Sequence, residues 1–336
     1  MSTSLLLSAV VVLPILIGTL ASRSRGPART TRIPISQERV VIIGASSGIG
    51  SELARIYARR QAHVVVVARR LELLQQLVQE LSPTAGSIHA VQGDVTSPED
   101  VRRVTIESLR ALQGGIDTLI ICAGVISVLP FEELAGIDPA KAADTAETSE
   151  LDFNHLLPMS SRAALDASIK IMNVNYHAPL NLAGHFLPAL ARTSAAGNLI
   201  VVSSMAGKVG APTRSIYCAS KHAAQGFFES LGMEVERTGV HVGIVSPGTV
   251  ITDIRQSAVD LPKTESSSSS STEPRKIAGT KKGAMTAKAC AEGIIKGSDL
   301  RQHDVIMPWF YRASLALKLV APGLVRWLAK KKYGYL

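Results

Sequence analysis

The stretch that decides the fold is Val40-Val41-Ile42-Ile43-Gly44-Ala45-Ser46-Ser47-Gly48-Ile49-Gly50. Four apolar, β-branched residues run directly into a turn with three glycines, and a helical pattern follows from Ser51. A strand, a glycine-rich turn and a helix in this order are typical of a dinucleotide site, because the glycines let the backbone approach a pyrophosphate at the helix N-terminus. This context favours a bound dinucleotide over a tight turn without a ligand.

Further β-branched runs alternate with helical patterns on the C-terminal side of this turn. Strands are predicted at Val40–Ile43, Val64–Val67, Ile88–Gln92, Thr118–Ile121, Leu199–Val202 and Val242–Val245, with a short one at Val305–Met307. Helices are predicted at Ser51–Arg60, Leu71–Leu81, Glu99–Leu112 and Ala219–Glu236. Apolar strands joined by long crossovers form a parallel sheet that helices cover on both faces. The predicted fold class is therefore α/β, with a doubly wound, Rossmann-type parallel sheet in a single domain over residues 39–307.

Two segments interrupt this alternation, and we interpret both as insertions. Residues 129–168 are acidic and rich in alanine, whereas residues 263–282 contain six consecutive serines and are typical of a flexible loop. Plain disorder of that serine run is favoured over a regulatory phosphorylation site. The three cysteines, Cys122, Cys218 and Cys290, form no Cys-x-x-Cys pair, so neither a disulfide framework nor a metal site is predicted.

The positive charge of the chain lies at its two ends. The net charge is +9, of which residues 1–39 carry +4 and residues 308–336 carry +6, so the remainder is close to neutral. A nucleic-acid partner would require the basic excess on the core domain, so we expect none. An anionic lipid surface explains charge at the ends better.

Both ends of the chain also contain apolar segments of the kind that contact membranes. Residues 1–22 have no charged side chain and are about long enough to cross a bilayer, and arginines follow directly. We predict an uncleaved membrane anchor over 1–22, with a cleaved signal peptide as the alternative, and a basic linker over 23–38. The sheet domain would then face the cytosol. The apolar and basic tail over 308–336 leaves two alternatives open, packing on the sheet domain or lying on a membrane surface.

The residues after the second predicted strand indicate which dinucleotide binds. An NAD site usually has a carboxylate there for the ribose 2′-hydroxyl, but this chain has Arg69 and Arg70 after Ala68. Because guanidinium groups pair with phosphate, NADP(H) is the predicted cofactor. The alternative is that both arginines are simply solvated. Asp94, after the third strand, is placed either to meet the adenine amino group or to cap the turn.

A second cluster carries acid–base chemistry. Tyr217 and Lys221 lie four residues apart, on one face of a predicted helix, and Ser204 ends the preceding strand. A neighbouring ammonium is expected to lower the phenol pKa, so that Tyr217 exchanges a proton with a carbonyl or alcohol oxygen. Ser204 would hold the same oxygen by a hydrogen bond.

Together these residues resemble the short-chain dehydrogenase/reductase family over about Arg39 to Asp253. The resemblance implies a catalytic group of Asn175, Ser204, Tyr217 and Lys221, with Asn175 supporting a water relay. It implies cofactor contacts by Gly44, Ser46, Ser47, Gly48, Ile49, Gly50, Arg69, Arg70, Asp94, Val95, Ala123, Gly124, Tyr217, Lys221, Pro247, Gly248, Val250 and Thr252. Two positions depart from the family pattern: Ile43 replaces a threonine, and Ile121-Cys122 replaces an asparagine pair, which is expected to weaken cofactor binding.

Within that family, residues 207–229 resemble the membrane-anchored 7B-type dehydrogenase/reductases, which are associated with reduction of acyl-dihydroxyacetone phosphate. The resemblance implies a membrane-bound, NADP(H)-dependent oxidoreductase that interconverts a ketone and a secondary alcohol on a lipophilic substrate. Ketosphinganine, steroid or retinoid chemistry is the alternative substrate class. A non-catalytic, NADPH-binding membrane scaffold is the alternative of another class. Endoplasmic reticulum is the expected membrane, with lipid droplet and peroxisome as alternatives. Homo-oligomers are common in the family, so the resemblance also implies a possible homo-oligomer.

Overall fold

The computed structural model describes residues 29–136, 161–260 and 284–335. The predicted anchor over 1–22, the first part of the basic linker, the centre of the first insertion and the serine-rich insertion over 263–282 lie outside the described residues. Within the part of the chain that is described, no helix is both long and apolar enough to span a bilayer.

Seven parallel strands form the main sheet, and all seven predicted strands are confirmed. They are β1 (Arg39–Ile43), β2 (His63–Ala68), β3 (Ser87–Gln92), β4 (Thr118–Ile121), β5 (Asn198–Val202), β6 (His241–Pro247) and β9 (Asp304–Met307). Their order across the sheet is β3-β2-β1-β4-β5-β6-β9. Two short strands, β7 (Val250–Ile251) and β8 (Met285–Thr286), pair separately beside the sheet. The chain reverses its direction across the sheet between β1 and β4, which is where α/β sheets of this kind hold ligands.

Helices cover both faces of the sheet, as predicted. In chain order they are α1 (Arg29–Arg32), α2 (Gly48–Arg59), α3 (Leu71–Leu81), α4 (Pro98–Ala111), α5 (Phe131–Leu134), α6 (Ser161–Met172), α7 (Ala178–Thr193), α8 (Ser215–Val235), α9 (Ala287–Asp299), α10 (Tyr311–Val320) and α11 (Pro322–Tyr333). A π-helical turn, Asn173–His177, joins α6 to α7. The doubly wound Rossmann-type architecture is thus confirmed.

Strand β1 shows why the sheet strands are apolar throughout. Val40 and Ile42 pack against α2, α3 and α9 on one face, whereas Val41 and Ile43 pack against α4, α7 and α8 on the other. All four side chains are fully buried. Because alternate residues point to opposite faces, a strand buried on both sides needs an apolar residue at every position.

The packed structure begins before the predicted domain boundary at residue 39. Arg29, in the segment interpreted as a basic linker, is buried at the amino-terminal edge of the sheet. Its guanidinium pairs with Glu38 at 2.7 Å and donates to the carbonyl oxygens of Asp117 and Ala196 at 3.0 and 2.9 Å. It also donates to the Thr118 hydroxyl at 2.7 Å. This arginine is therefore part of the domain, because its buried charge is matched by a buried carboxylate.

The described ends of the first insertion form helices α5 and α6. Leu134 of α5 and Ala167 and Ile171 of α6 are buried together with Ile216 and Tyr217 at the start of α8. The insertion thus contributes a small third core beside the carboxyl edge of the sheet.

The C-terminal tail forms a helical hairpin that packs on the domain by one face. Val325 of α11 is buried, and Lys318 of α10 donates to the carbonyl oxygen of Lys208 at 2.8 Å. The opposite face is exposed and apolar, with Trp309 at 77% and Leu319 at 83% exposure. Of the two alternatives for this tail, packing on the sheet domain is therefore observed, and an apolar surface still faces outwards.

Candidate active site

The glycine-rich turn between β1 and α2 has no room for side chains. Gly44 has a φ of +87°, and a Cβ there would lie 2.6 Å from the backbone nitrogen of Ala123. Gly48 also has a positive φ, and a Cβ there would lie 3.2 Å from the Thr252 methyl group. Bare backbone at the N-terminus of α2 is what a pyrophosphate needs, so the turn fits the predicted dinucleotide.

A cleft of about 400 Å³ runs along this turn at the carboxyl edge of the sheet. The predicted cofactor residues that line it are Gly44, Ser46, Ser47, Gly48, Ile49, Gly50, Arg69, Arg70, Asp94, Val95, Ala123, Gly124 and Thr252. The remaining ones, Tyr217, Lys221, Pro247, Gly248 and Val250, line an adjoining chamber together with Ser204. The two spaces share Ile49, Cys122, Gly124 and Thr252 among others, so they meet at one boundary.

The two arginines after β2 are placed differently. The Arg70 guanidinium donates to the hydroxyls of Ser46 and Ser47 at 2.9 and 3.2 Å, which fixes it over the glycine turn. Both arginines are exposed, but the Arg69 side chain makes no hydrogen bond among the described residues, and only its backbone carbonyl accepts, from the Gln92 side chain at 3.0 Å. Arg70 and the two serines together offer a cation and two hydroxyls to an anionic group at the edge of the cleft.

Asp94 caps its own turn. Its Oδ1 accepts hydrogen bonds from the backbone N–H and the hydroxyl of Thr96, at 3.0 and 2.8 Å. The capping alternative is therefore observed in the structure, while contact with an adenine stays a prediction.

Ser204, Tyr217 and Lys221 line the chamber together, and Lys221 lies next to Gly124, which also lines the cleft. Tyr217 and Lys221 are one turn apart on α8, and the Lys221 ammonium lies 5.9 Å from the centre of the Tyr217 ring. It donates to the carbonyl oxygen of Val202 at 3.2 Å. The Ser204 hydroxyl accepts from the backbone N–H of Ala206 at 3.1 Å and lies close enough to the Tyr217 phenol to lower its pKa. This arrangement can hold a substrate oxygen between a hydroxyl and a phenol.

The expected fall in the phenol pKa is wrong for this structure. Burial raises the pKa of Tyr217 to about 12, against a smaller opposing effect of the Ser204 hydrogen bond. Burial also lowers the pKa of Lys221 to about 8. Both groups are almost completely enclosed, with 8% and 5% exposure, so loss of solvation is the largest effect on both pKa values. At neutral pH the phenol therefore keeps its proton.

Asn175 lies behind the site and does not line the chamber. It sits in the π-helical turn, and its Oδ1 accepts from the backbone N–H of Val125 at 2.9 Å. Its Nδ2 donates to the Val125 carbonyl oxygen at 2.9 Å and to the Ser220 hydroxyl at 3.0 Å. The side chain thus fixes the loop after β4 to the helix that carries Tyr217. The predicted water relay stays a prediction.

Two reactive or charged residues near the site, Cys122 and Lys208, have structural roles. Burial raises the pKa of the Cys122 thiol far above its usual range, so this replacement of the family asparagine is a protonated packing group. Lys208 pairs with Asp304 at 2.8 Å and with Glu229 at 3.6 Å, so its charge is already matched.

The loop after β6 forms the floor of the chamber. Pro247 ends the strand, and the backbone N–H of Gly248 donates to the Met307 carbonyl oxygen at 2.7 Å. A side chain at Gly248 would overlap the Tyr311 ring. Val250 and Thr252 continue around the chamber wall.

The chamber has a volume of about 350 Å³ and is mostly apolar. The C-terminal hairpin supplies much of its outer wall, through Tyr311, Ser314, Val325, Leu328, Ala329, Lys332 and Tyr333. Sequence reasoning missed these residues, and it also missed Arg214 and Arg255, which line the same space. No local pattern marks the hairpin residues, because only the folding back of α10 and α11 brings them to the site. Arg214 and Arg255 lie on other elements, just before α8 and after Thr252.

Comparison with known proteins agrees with this geometry. The sequence model of the short chain dehydrogenase family matches residues 38–152 and 154–262. The chain belongs to the short-chain dehydrogenase family. Membership in this oxidoreductase family confirms the resemblance drawn from the glycine turn, Ser204, Tyr217 and Lys221.

Relatives of 7B type are among the similar members of the short-chain dehydrogenase family. Dehydrogenase/reductase SDR family member 7B of Bos taurus is 33% identical over 66% of this chain and 60% of its own length. The Danio rerio protein of the same name is 32% identical over 69% of this chain and 67% of its own. The 11-beta-hydroxysteroid dehydrogenase 1A of Arabidopsis thaliana is 28% identical over 88% of this chain and 75% of its own. The resemblance to the 7B-type members is thus confirmed.

Solved structures of the short-chain dehydrogenase fold superimpose on most of the chain. An alcohol dehydrogenase from Thermococcus sibiricus, complexed with 5-hydroxy-NADP, gives a TM-score of 0.59 at 22% identity, covering 81% of this chain and 96% of its own. A short chain dehydrogenase/reductase from Burkholderia phymatum, in complex with NAD, gives 0.65 at 19% identity, covering 86% and 95%. These similarities show the fold.

Proposed function

We propose that this short-chain dehydrogenase is a membrane-bound, NADP(H)-dependent enzyme that interconverts a ketone and a secondary alcohol on a lipophilic substrate. The observation that carries the proposal is that Ser204, Tyr217 and Lys221 line an apolar chamber, which adjoins the glycine-lined cleft. An acyl-dihydroxyacetone phosphate-like substrate is favoured, in line with the 7B-type relatives. Ketosphinganine, steroid and retinoid carbonyls are the alternatives.

The residues of this chain divide the proton chemistry among them. When held by the residues of the glycine-lined cleft, NADP(H) would supply or accept the hydride. Tyr217, which burial keeps protonated at neutral pH, donates its proton to the carbonyl oxygen during reduction, and Ser204 hydrogen bonds to the same oxygen. Lys221, with its pKa lowered to about 8, is still mainly an ammonium at pH 7 and stabilises the phenolate that remains. Asn175 holds the loop after β4 against α8 by its hydrogen bonds to Val125 and Ser220.

Preference for NADP(H) is supported by Arg70. Its guanidinium lies over Ser46 and Ser47, where a 2′-phosphate would complete an anion site. An Arg70→Gln variant should bind NADPH about 10- to 100-fold more weakly, since a hydrogen bond to a charged group contributes roughly 1.5–3 kcal/mol. Its affinity for NADH should change little. Arg69→Gln, which removes the exposed neighbour, is the matched variant, and a larger effect there would shift the 2′-phosphate contact to Arg69.

The catalytic part is tested by NADPH oxidation with the full chain in detergent. The panel contains an acyl-dihydroxyacetone phosphate, ketosphinganine, a ketosteroid, retinal and a simple aromatic ketone. Tyr217→Phe should abolish turnover and leave NADPH binding intact. Tyr57→Phe is the control, because this buried tyrosine on α2 makes no hydrogen bond through its hydroxyl. Full activity of Tyr217→Phe would remove Tyr217 from the mechanism.

The second candidate is a non-catalytic membrane scaffold that binds NADPH. The departures at Ile43 and Cys122 favour it, because they lie beside the glycine turn. NADPH binding without Tyr217-dependent turnover on any substrate of the panel would support it. Turnover that is lost in Tyr217→Phe would exclude the purely scaffolding version.

Membrane attachment is the remaining part of the proposal. Residues 1–22 are proposed as a single-pass anchor with the catalytic domain in the cytosol, in the endoplasmic reticulum, with lipid droplet and peroxisome as alternatives. The outward face of α10 and α11 supports a second contact, since exposed Trp309, Leu319 and Trp327 lie among basic residues. Resistance to alkaline extraction that is lost on deletion of 1–28 would support the anchor. Extraction of the full chain by alkaline buffer would contradict it.

A further inference from the structure

The apolar chamber carries positive charge that nothing in its wall balances. Besides Lys221, the cations Arg214, Arg255 and Lys332 line it. Among the described residues that line the chamber, none is acidic. A chamber for a neutral lipid would not need this charge, because placing cations against apolar surface costs free energy unless a counter-charge is present.

Arg214 is the most enclosed of the three. It lies at the N-terminal end of α8 and is only 6% exposed. Its Nη1 donates to the carbonyl oxygens of Ser127 and Thr213 at 3.0 and 3.1 Å, and no ion pair to it is found among the described residues. Burial lowers the pKa of Arg214, although an arginine remains charged under all ordinary conditions. The guanidinium thus keeps its charge without a paired carboxylate.

Asp260 is the one carboxylate whose charge acts on the pKa of Arg214, and one of its two oxygens is already hydrogen-bonded, whereas Oδ1 has no partner among the described residues. Its Oδ2 accepts from the backbone N–H groups of Val128 and Leu129 at 2.7 and 2.8 Å. The field of Asp260 raises the pKa of Arg214, but the field of Arg255 lowers it. The two arginines and one carboxylate together therefore leave one net positive charge at this end of the chamber.

Arg255 and Lys332 approach the same space from other elements. Arg255 lies on the short 3₁₀ turn after Thr252, is half-buried, and makes no side-chain hydrogen bond within the described part of the chain. Lys332, near the end of α11, donates to the Tyr311 hydroxyl at 3.5 Å and lies 5.9 Å from the centre of that ring. Three separate segments thus bring cations to one wall.

We propose that this wall is a subsite for an anionic group, a phosphate or a carboxylate, on the substrate. Arg214 and Arg255 hold the anion by charge-assisted hydrogen bonds, and Lys332 closes the site from α11. The inference rests on the proposed function and makes it more specific. Arg214 and Tyr217 lie within one helical turn, roughly 5 Å along the axis. The anion must therefore lie within a few bonds of the reacting carbonyl, with the hydrocarbon chain in the apolar remainder of the chamber.

Two pairs of ketones that differ only in charge test this subsite with the full chain in detergent. One pair is the octanoyl ester of dihydroxyacetone phosphate and the same ester without phosphate; the other is a β-keto acid and its methyl ester. The wild-type kcat/KM should favour the anionic member at least tenfold. Arg255→Gln and Lys332→Gln should each reduce this ratio several-fold. Lys331→Gln, whose ammonium lies over Trp327 outside the chamber, should leave the ratio unchanged.

The ratio of kcat/KM for the anionic and the neutral ketone distinguishes loss of the subsite from general damage, because general damage lowers both values alike. This comparison is needed for Arg214→Gln, since Arg214 also donates to the carbonyl oxygen of Ser127 and its loss could disturb that loop. Preference for phosphate alone or for carboxylate alone identifies the source of the anion, and either supports the subsite. Equal turnover of both members of each pair by the wild type would overturn it while leaving the proposed function intact.

If the enzyme reduces no member of either pair, equilibrium binding tests the subsite instead. Calorimetric titration with octanoyl glycerol phosphate and with octanoyl glycerol should then show tighter binding of the phosphate, lost in Arg255→Gln. Equal affinities for the two would overturn the subsite.

Discussion

The buried pair of Arg29 and Glu38 makes a sharp prediction for stability, because it lies at the edge of the sheet opposite the active site. Arg29→Met keeps an unbranched side chain but removes hydrogen bonds to Glu38, Thr118 and the carbonyl oxygens of Asp117 and Ala196. Four bonds at roughly 1 kcal/mol each give about 4 kcal/mol. This agrees with the roughly 3–5 kcal/mol expected when one partner of a buried ion pair is removed.

The free energy of unfolding is best measured by urea titration of the full chain in detergent, followed by circular dichroism. Arg29→Met should lower it by about 4 kcal/mol, a large share of the roughly 5–15 kcal/mol of a typical domain. Glu38→Gln should also be destabilising, since it leaves the Arg29 charge unpaired. The double variant should lose clearly less than the sum of the two, because neither charge is then buried alone.

Arg32→Ala is the matched control, since Arg32 lies one turn further along and is exposed. It should change the free energy of unfolding by less than about 0.5 kcal/mol. A loss below about 1 kcal/mol in Arg29→Met, or strict additivity in the double variant, would refute the assignment of Arg29 to the packed domain.

Two further predictions concern the glycine turn and the response to acid. Gly44→Ala should abolish NADPH binding, because its Cβ would lie 2.6 Å from the Ala123 nitrogen at a φ of +87°; retained affinity in a fluorescence titration would contradict the close approach. Burial lowers the pKa of His241 to about 3, against about 6.5 when unfolded, so its contribution to stability is complete above pH 6.5 and falls as the pH drops. Between pH 7 and 5 this loss is about 2 kcal/mol, and His241→Phe should remove it from urea titrations at the two pH values; an unchanged pH dependence would assign the acid sensitivity to other groups.

Much of the fold could be predicted from the sequence because its signals are local. Strands such as Val40–Ile43 are apolar at every position, since both faces are covered, and the glycines of the first turn stand at the spacing typical of a dinucleotide site. The four-residue spacing of Tyr217 and Lys221 likewise placed both on one face of α8. These features need no knowledge of distant parts of the chain.

The electrostatics of the site and its outer wall depend on distant contacts. The direction of the Tyr217 pKa shift was wrong because its burial among residues of α5 and α6 cannot be seen in the spacing of Tyr217 and Lys221. Arg29 was interpreted as part of a linker for the same reason, since its partners lie up to 167 residues away. In the sequence Lys332 is one of several basic residues of the tail, and its place in the chamber wall depends on how α11 folds back.

The residues that line the cleft precede the C-terminal hairpin in the chain, so the ribosome makes them first. Every strand of the main sheet and the whole glycine turn are present once residue 308 has been made, whereas Tyr311, Val325 and Lys332 of the chamber wall are made last. Because domains form as the chain emerges, the nucleotide cleft is complete before the space for the second reactant has its outer wall. A nonsense codon shortly after Pro308 would therefore remove the outer wall of the chamber while keeping every residue that lines the cleft.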